Sequence, residues 1–203
     1  MKGKIFGMRF LLPFLVALSA SVFAVDVDQS QYLPVKPGNE WTMDVVINSA
    51  NGKVDKATLR RKVEESVEKD GKKYVRFRTS MDGPSPMQYT KLVRKDELGL
   101  HTIMENVPNA KEQIEIPLPL KVGNTWKTEL AGTSFTSVVA GFEKVTSGDK
   151  TYENCFRIVT QSDDGKYRED YWESPKVGNV KSEITPGDGS KMVVTLRTFK
   201  AGK

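Results

Sequence analysis

The sequence predicts an all-β protein, a curved antiparallel sheet or half-barrel built from two similar halves, behind an N-terminal signal peptide. Three observations predict it. Apolar and polar residues alternate at period two through most of the chain, glycine-containing turns punctuate those runs, and one short element occurs twice.

The N-terminal element comes first. Residues 1–24 carry Lys2, Lys4 and Arg9, then an apolar run over 10–18, then Val22 and Ala24 at the small-residue cleavage positions, the layout of a secretory signal. A membrane anchor needs roughly 20 apolar residues, and this run is interrupted by Pro13 and passes into Ser19 and Ser21. Lipid attachment would need a cysteine just past the cleavage point, and the one cysteine is Cys155. The expected mature protein is a single β-rich domain over residues 25–203, soluble, periplasmic or secreted, and not membrane-spanning.

Removing the signal changes the charge argument, because it holds three of the 31 basic residues and none of the 26 acidic ones. The mature chain then has 28 basic against 26 acidic residues, a net charge of +2. Basic residues are dispersed, as where Arg60, Arg61 and Lys62 are followed by Glu64 and Glu65. Nucleic-acid binding concentrates them on one face, so no nucleic-acid partner is expected. A lone cysteine forms no disulfide within the chain, and stability must come from the core.

Residues 74–81 show the strand pattern, with Val75, Phe77, Thr79 and Met81 on one face and Tyr74, Arg76, Arg78 and Ser80 on the other. Similar runs occupy 41–48, 87–95, 101–105, 112–116, 134–145, 152–161, 166–172, 180–184 and 191–200. Asp70-Gly71, Gly148-Asp149, Asp164-Gly165 and Asp188-Gly189 supply turns. Residues 57–70 fit two templates, since Leu59, Val63 and Val67 recur at helical spacing. The Asp70-Gly71 turn directly before the strand at Tyr74 favours a long, exposed strand, with a short helix as the alternative. A tail over residues 25–33 precedes the first strand.

The repeated element is Pro34-Val35-Lys36-Pro37-Gly38-Asn39-Glu40-Trp41, which returns as Pro119-Leu120-Lys121-Val122-Gly123-Asn124-Thr125-Trp126 with five of eight positions identical. Tyr89 leading to Gly99 and Tyr167 leading to Gly178 continue the match. The repeat is therefore placed at about 34–105 and 119–184, with Trp41 and Trp126 equivalent. Each element reads as a rigid turn whose tryptophan starts a strand. The functional alternative is that Trp41, Trp126 and Trp172 line one ligand surface.

Catalytic chemistry has little to work with. His101 is the sole histidine and lies in a strand-like run, so no multi-histidine metal site exists. Cys155, between strand residues, reads as a buried structural thiol rather than a nucleophile activated by His101. Asp163 and Asp164 precede a turn glycine, and Glu169 and Asp170, as neighbours along a strand, point to opposite faces. No phosphate-binding glycine loop, paired-cysteine zinc pattern or nucleophile elbow is present. No catalytic residue, metal site or cofactor is assigned.

At Gly38-Asn39-x-Trp41, Gly123-Asn124-x-Trp126, Tyr152-Glu153-Asn154-Cys155 and Tyr171-Trp172-x-x-Pro175-x-Val177-Gly178-x-Val180-Lys181, the chain resembles a group of exported bacterial β-rich proteins of unknown function. These are distantly similar in fold to the half-barrels of periplasmic lipoprotein carriers. The resemblance implies a curved sheet able to hold acyl chains, although no helix here corresponds to those that plug the carriers' concave face.

Three functions follow as expectations. The first is an exported non-catalytic protein that binds an apolar small molecule or an envelope protein. The second is a structural or assembly factor acting by protein contacts, and the third a hydrolase of unfamiliar type. Trp41, Phe77, Trp126, Phe135, Phe142 and Phe156 are expected to fill the concave face in part, leaving an apolar cleft lined by aromatics and methionines with few charges.

Overall fold

Period-two alternation builds twelve strands, and the turns between them set their order. The computed structural model describes residues 28–203, so the signal peptide expected over residues 1–24 lies outside the described residues. The strands are β1 (Glu40–Asn48), β2 (Val54–Lys69), β3 (Lys72–Met81), β4 (Met87–Asp96), β5 (Gly99–Met104) and β6 (Gln113–Pro117), followed by β7 (Thr125–Leu130), β8 (Thr133–Ser147), β9 (Lys150–Ser162), β10 (Tyr167–Ser174), β11 (Gly178–Pro186) and β12 (Lys191–Lys200). All pair antiparallel in one sheet of order β6-β5-β4-β3-β2-β1-β12-β11-β10-β9-β8-β7. The sheet curves further than a half-barrel. Its two edges approach each other, where Trp126 Nε1 donates to the Glu115 carbonyl (2.8 Å) and Glu129 N to Gln113 Oε1 (3.0 Å).

Residues 57–70 belong to a strand, and the structure explains their helical spacing. Asp70 and Gly71 take positive φ angles of 52° and 70°, making a two-residue hairpin in register with Lys69 opposite Lys72. A bulge between Val63 and Ser66 inserts one extra residue opposite β3. Leu59 and Val63 therefore face the interior, while Val67 falls on the outer face with Tyr74, Leu92 and Ile103.

The two copies of the repeated loop make the same hydrogen bonds. Gly38 N donates to Val63 O (2.8 Å) and Val63 N returns to Asn39 O (2.9 Å), while Gly123 N donates to Val139 O (2.8 Å) and Val139 N returns to Asn124 O (2.9 Å). Asn39 Nδ2 reaches back to Pro34 O, as Asn124 Nδ2 does to Pro119 O. The glycines sit at φ 86° and 92°, a conformation that other residues adopt only with strain.

Two interior clusters close one end of the barrel. In the first, Met43, Val45, Leu59, Val63, Val194 and Leu196 meet Val145, Cys155 and Val180. The contact forms because the β8–β9 hairpin folds under β11 and β12, where Ser147 Oγ donates to Val180 O and accepts from Leu196 N. Burying each such side chain contributes about 1.5–3 kcal/mol.

The second cluster corrects the expectation of a tail. Tyr32 and Leu33 are inserted among Val93, Leu100, Ile116, Leu120, Val139, Phe156 and Ile158, with Tyr32 at 0% exposure. Apolar side chains on an extended segment have nowhere else to escape water, and the open barrel end needs a filling. The segment is tied down on several sides. Tyr32 Oη donates to Asn154 O (2.6 Å), Lys176 N to Gln31 O (2.7 Å), and Leu120 N to Gln29 Oε1 (3.0 Å). Lys95 Nζ donates to the carbonyls of Ser30 and Tyr32. This strap, a 3-10 helix over Gln29–Gln31 followed by the buried Tyr32 and Leu33, thus fills this end of the barrel.

Cys155 is fully buried in β9, its thiol pushed up to about 11 mainly by burial. A thiol reagent is expected to label the native protein only at the rate of unfolding and the denatured protein at once, and rapid native labelling would contradict this burial.

Candidate functional site

Above the strap, the barrel interior remains a cavity of about 680 Å³. Its lining runs from Leu33, Pro34 and Val35 of the strap to Asn106, Leu130 and Ala131 at the far strand ends, where Leu130 is 43% exposed. The rim therefore lies opposite the strap. Trp41, Phe77, Tyr89, Phe135, Tyr167 and Tyr171 supply aromatic walls, and Met104 is the one methionine. Phe142, Phe156 and Trp126 pack instead against the strap cluster.

The expectation of few charges is corrected, because Arg61, Lys91, Glu115, Glu169 and Glu173 all face this space. Strand parity puts them there. β4 reads Tyr89-x-Lys91-x-Val93 and β10 reads Tyr167-x-Glu169-x-Tyr171-x-Glu173, so each charge shares its face with aromatics or valine. In the sheet order five strands separate β4 from β10 in either direction around the barrel, which sets a basic wall across from an acidic one.

Most of these charges are satisfied within the chain. Lys91 Nζ bonds both Glu115 carboxylate oxygens (2.7 and 2.6 Å) and lies 5.6 Å from the Phe77 ring centre. Tyr167 Oη donates to Glu169 Oε2 (2.9 Å), and burial followed by the Glu169 charge holds that phenol far above its ordinary range. Arg61 has only a 3.3 Å hydrogen bond from Nη1 to Asn179 Oδ1 and no carboxylate within ion-pair distance among the described residues.

Glu173 differs from all of them. It is 6% exposed and lines the cavity beside the strap, and no hydrogen bond or ion pair reaches its carboxylate among the described residues. Gly178 lies beside it at a φ of 83°, where a Cβ would press on Pro34 Cδ at 3.1 Å and reach Glu173 Oε2 at an ordinary contact distance of 3.7 Å. Burial, only partly offset by Arg61, pushes the Glu173 carboxyl up to about 7. Thr79 Oγ1, on the same lining, is likewise buried without a partner.

The residues weighed from sequence fall elsewhere. Of the three tryptophans only Trp41 lines the cavity, its Nε1 donating to Val177 O (2.7 Å). Trp126 sits at the sheet edge, and Trp172 is on the opposite face of β10, bonding Glu143 Oε1 (2.7 Å) beneath the Lys181 ammonium. The three do not form one surface. His101 bonds Asp96 Oδ1 (2.8 Å), whereas the Cys155 thiol lies against the carbonyls of Tyr152 and Glu153, so the two make no pair. Glu169 faces the cavity and Asp170 faces away to Arg157 and Arg168, as neighbours along a strand must. No group of three His, Cys, Asp or Glu among the described residues could hold a metal ion, and no described helix is long and apolar enough to cross a membrane.

Fold and cavity together define the class: a nearly closed antiparallel β-barrel, strapped at one end and lined inside by aromatic and charged side chains. No protein-family model and no curated protein matches the chain. Among solved structures, a Bacteroides fragilis protein described as exported, with a YmcC-like fold, aligns with a TM-score of 0.53 at 14% identity, over 84% of this chain and 99% of that one. A β-barrel-like protein with a domain of unknown function from Brucella abortus aligns at 0.40 and 12% identity, over 84% and 100% of the two chains. A Parabacteroides distasonis protein described as a lipoprotein aligns at 0.38 and 14%, over 83% and 97%. The chain shares its architecture with the first of these, a bacterial all-β protein.

Proposed function

We propose that this is an exported, non-catalytic binding protein that holds a small amphipathic molecule inside its barrel. The observation that carries the reading is the interior cavity. Its volume of about 680 Å³ lies within the range of roughly 300–1,000 Å³ usual for small-molecule sites, and a few polar groups are set among aromatic walls. On the lining, Thr79 Oγ1 is buried without a partner, and the carboxyl of Glu173, a residue 6% exposed, accepts no hydrogen bond among the described residues. Buried polar groups are nearly always partnered, and a bound molecule would supply what they lack. The signal-like N-terminus and a structural relative described as exported support an envelope or secreted location.

The test is native mass spectrometry of protein purified from its own host, followed by titration with a fluorescent apolar probe. A co-purifying small molecule, or saturable one-to-one probe binding that Trp41 reports by a change in emission, is the expected result. Absence of both would overturn the reading.

A further inference from the structure

We propose that the strap end of the cavity is a recognition site for a protonated amine, with Glu173 as its counter-ion and the apolar body of the ligand lying toward the rim. This inference rests on the binding-protein reading and adds the chemical class of the ligand.

Charge accounting on the lining comes first. Glu115 is neutralised by Lys91 through two hydrogen bonds. Glu169 accepts from a neutral phenol, and Glu173 accepts from nothing among the described residues. Two carboxylates thus face a single uncommitted cation, Arg61, which leaves the described lining with one negative charge in excess. A carboxylate more than nine-tenths buried with no partner is a costly arrangement unless something else completes it. An ammonium group does so with charge and hydrogen-bond donors together.

The surroundings fit the same chemistry. Tyr171 precedes Glu173 on the inner face of β10, and Trp41 lies on the same lining, so aromatic groups flank the acidic end, the setting that favours an organic cation. An anionic ligand would meet Glu169 and Glu173 with only Arg61 to receive it. The barrel handles a comparable position differently on the other wall. There β4 ends its Tyr89-x-Lys91-x-Val93 alternation at Lys95, whose ammonium is committed to two strap carbonyls. Glu173, in the corresponding place of the β10 alternation, is left for a group from outside.

The experiment compares octylamine, octanol and octanoate, equal in chain length and different in head group, as competitors of the apolar probe at pH 6 and pH 8. The charged and titratable groups around Glu173 are Arg61, Lys91, Glu115, Glu169, Tyr89, Tyr167 and Tyr171 on the lining and Cys155 of β9. Glu173, raised by burial to about 7, changes charge between these pH values. Octylamine should bind about tenfold or more tighter than octanoate at pH 8, and its advantage over octanol should shrink at pH 6. Glu173→Gln, nearly the same in shape, should abolish the preference for octylamine over octanol while both still compete with the probe. Equal or tighter binding of octanoate, or an amine preference that survives Glu173→Gln, overturns the inference while the cavity reading stands. If none of the three competes and the probe itself fails to bind, the binding-protein reading falls, and this inference with it. Octanol binding to Glu173→Gln shows that the variant is folded, and a matching circular dichroism spectrum checks it independently.

Discussion

Tyr32→Ala is expected to lower the unfolding free energy by about 3–5 kcal/mol, the usual loss on truncating a buried aromatic to alanine. Tyr32 is 0% exposed and packs edge-to-face on Phe156 with ring centres 5.1 Å apart. Its hydroxyl donates to Asn154 O at 2.6 Å, within β9 at a register irregularity where Asn154 itself has a φ of 56°. The substitution removes a side chain from the middle of the strap cluster and leaves a void that neighbouring strands, fixed by their own ladders, fill poorly. Tyr32→Phe keeps the packing and loses only the hydrogen bond, for an expected cost of about 1 kcal/mol. Urea denaturation of the three proteins measures both. A Tyr32→Ala loss below about 1 kcal/mol would mean that the strap does not belong to the cooperative fold.

Glu173→Gln acts in the opposite direction. The Glu173 carboxyl is raised by burial from its ordinary 4.5 to about 7 in the folded protein. The folded state therefore holds a proton that the unfolded state has released between those values, so stability falls as pH rises through that window and stays low above it. A shift of this size corresponds to about 3 kcal/mol at 1.36 kcal/mol per pH unit. At pH 8 the glutamine variant should be more stable than the parent by up to that amount, and the two should converge near pH 4. Denaturant midpoints taken from pH 4 to 8 provide the measurement. Parallel curves for the two proteins would show that Glu173 is compensated in the folded state. Saturation with a binding amine should restore stability to the parent and not to the variant, because a ligand that binds only the folded state stabilises it.

Strand parity was legible because one buried face forces alternation. The inner set Val75, Phe77, Thr79 and Met81, the separation of Glu169 from Asp170, and the hairpin at Asp70-Gly71 all follow from period two and from turn residues that accept positive φ. The charged lining was legible in principle by the same rule, since Lys91 and Glu169 share parity with Tyr89 and Tyr167. Charge within an otherwise apolar face was the signal for it. Other features depend on contacts distant in the chain, which no local pattern encodes. The bulge that sends Val67 to the outer face depends on the pairing of β2 with β3. The strap depends on Tyr32 meeting Phe156 and the carbonyl of Asn154, and the isolation of Glu173 on strands β9 and β11, the strap and Gly178 surrounding it without offering a donor. The sequence by itself determined which residues alternate and where the chain turns. Only tertiary structure decided which inward charges find partners, because partnering is set by side chains brought within a few ångströms across the barrel.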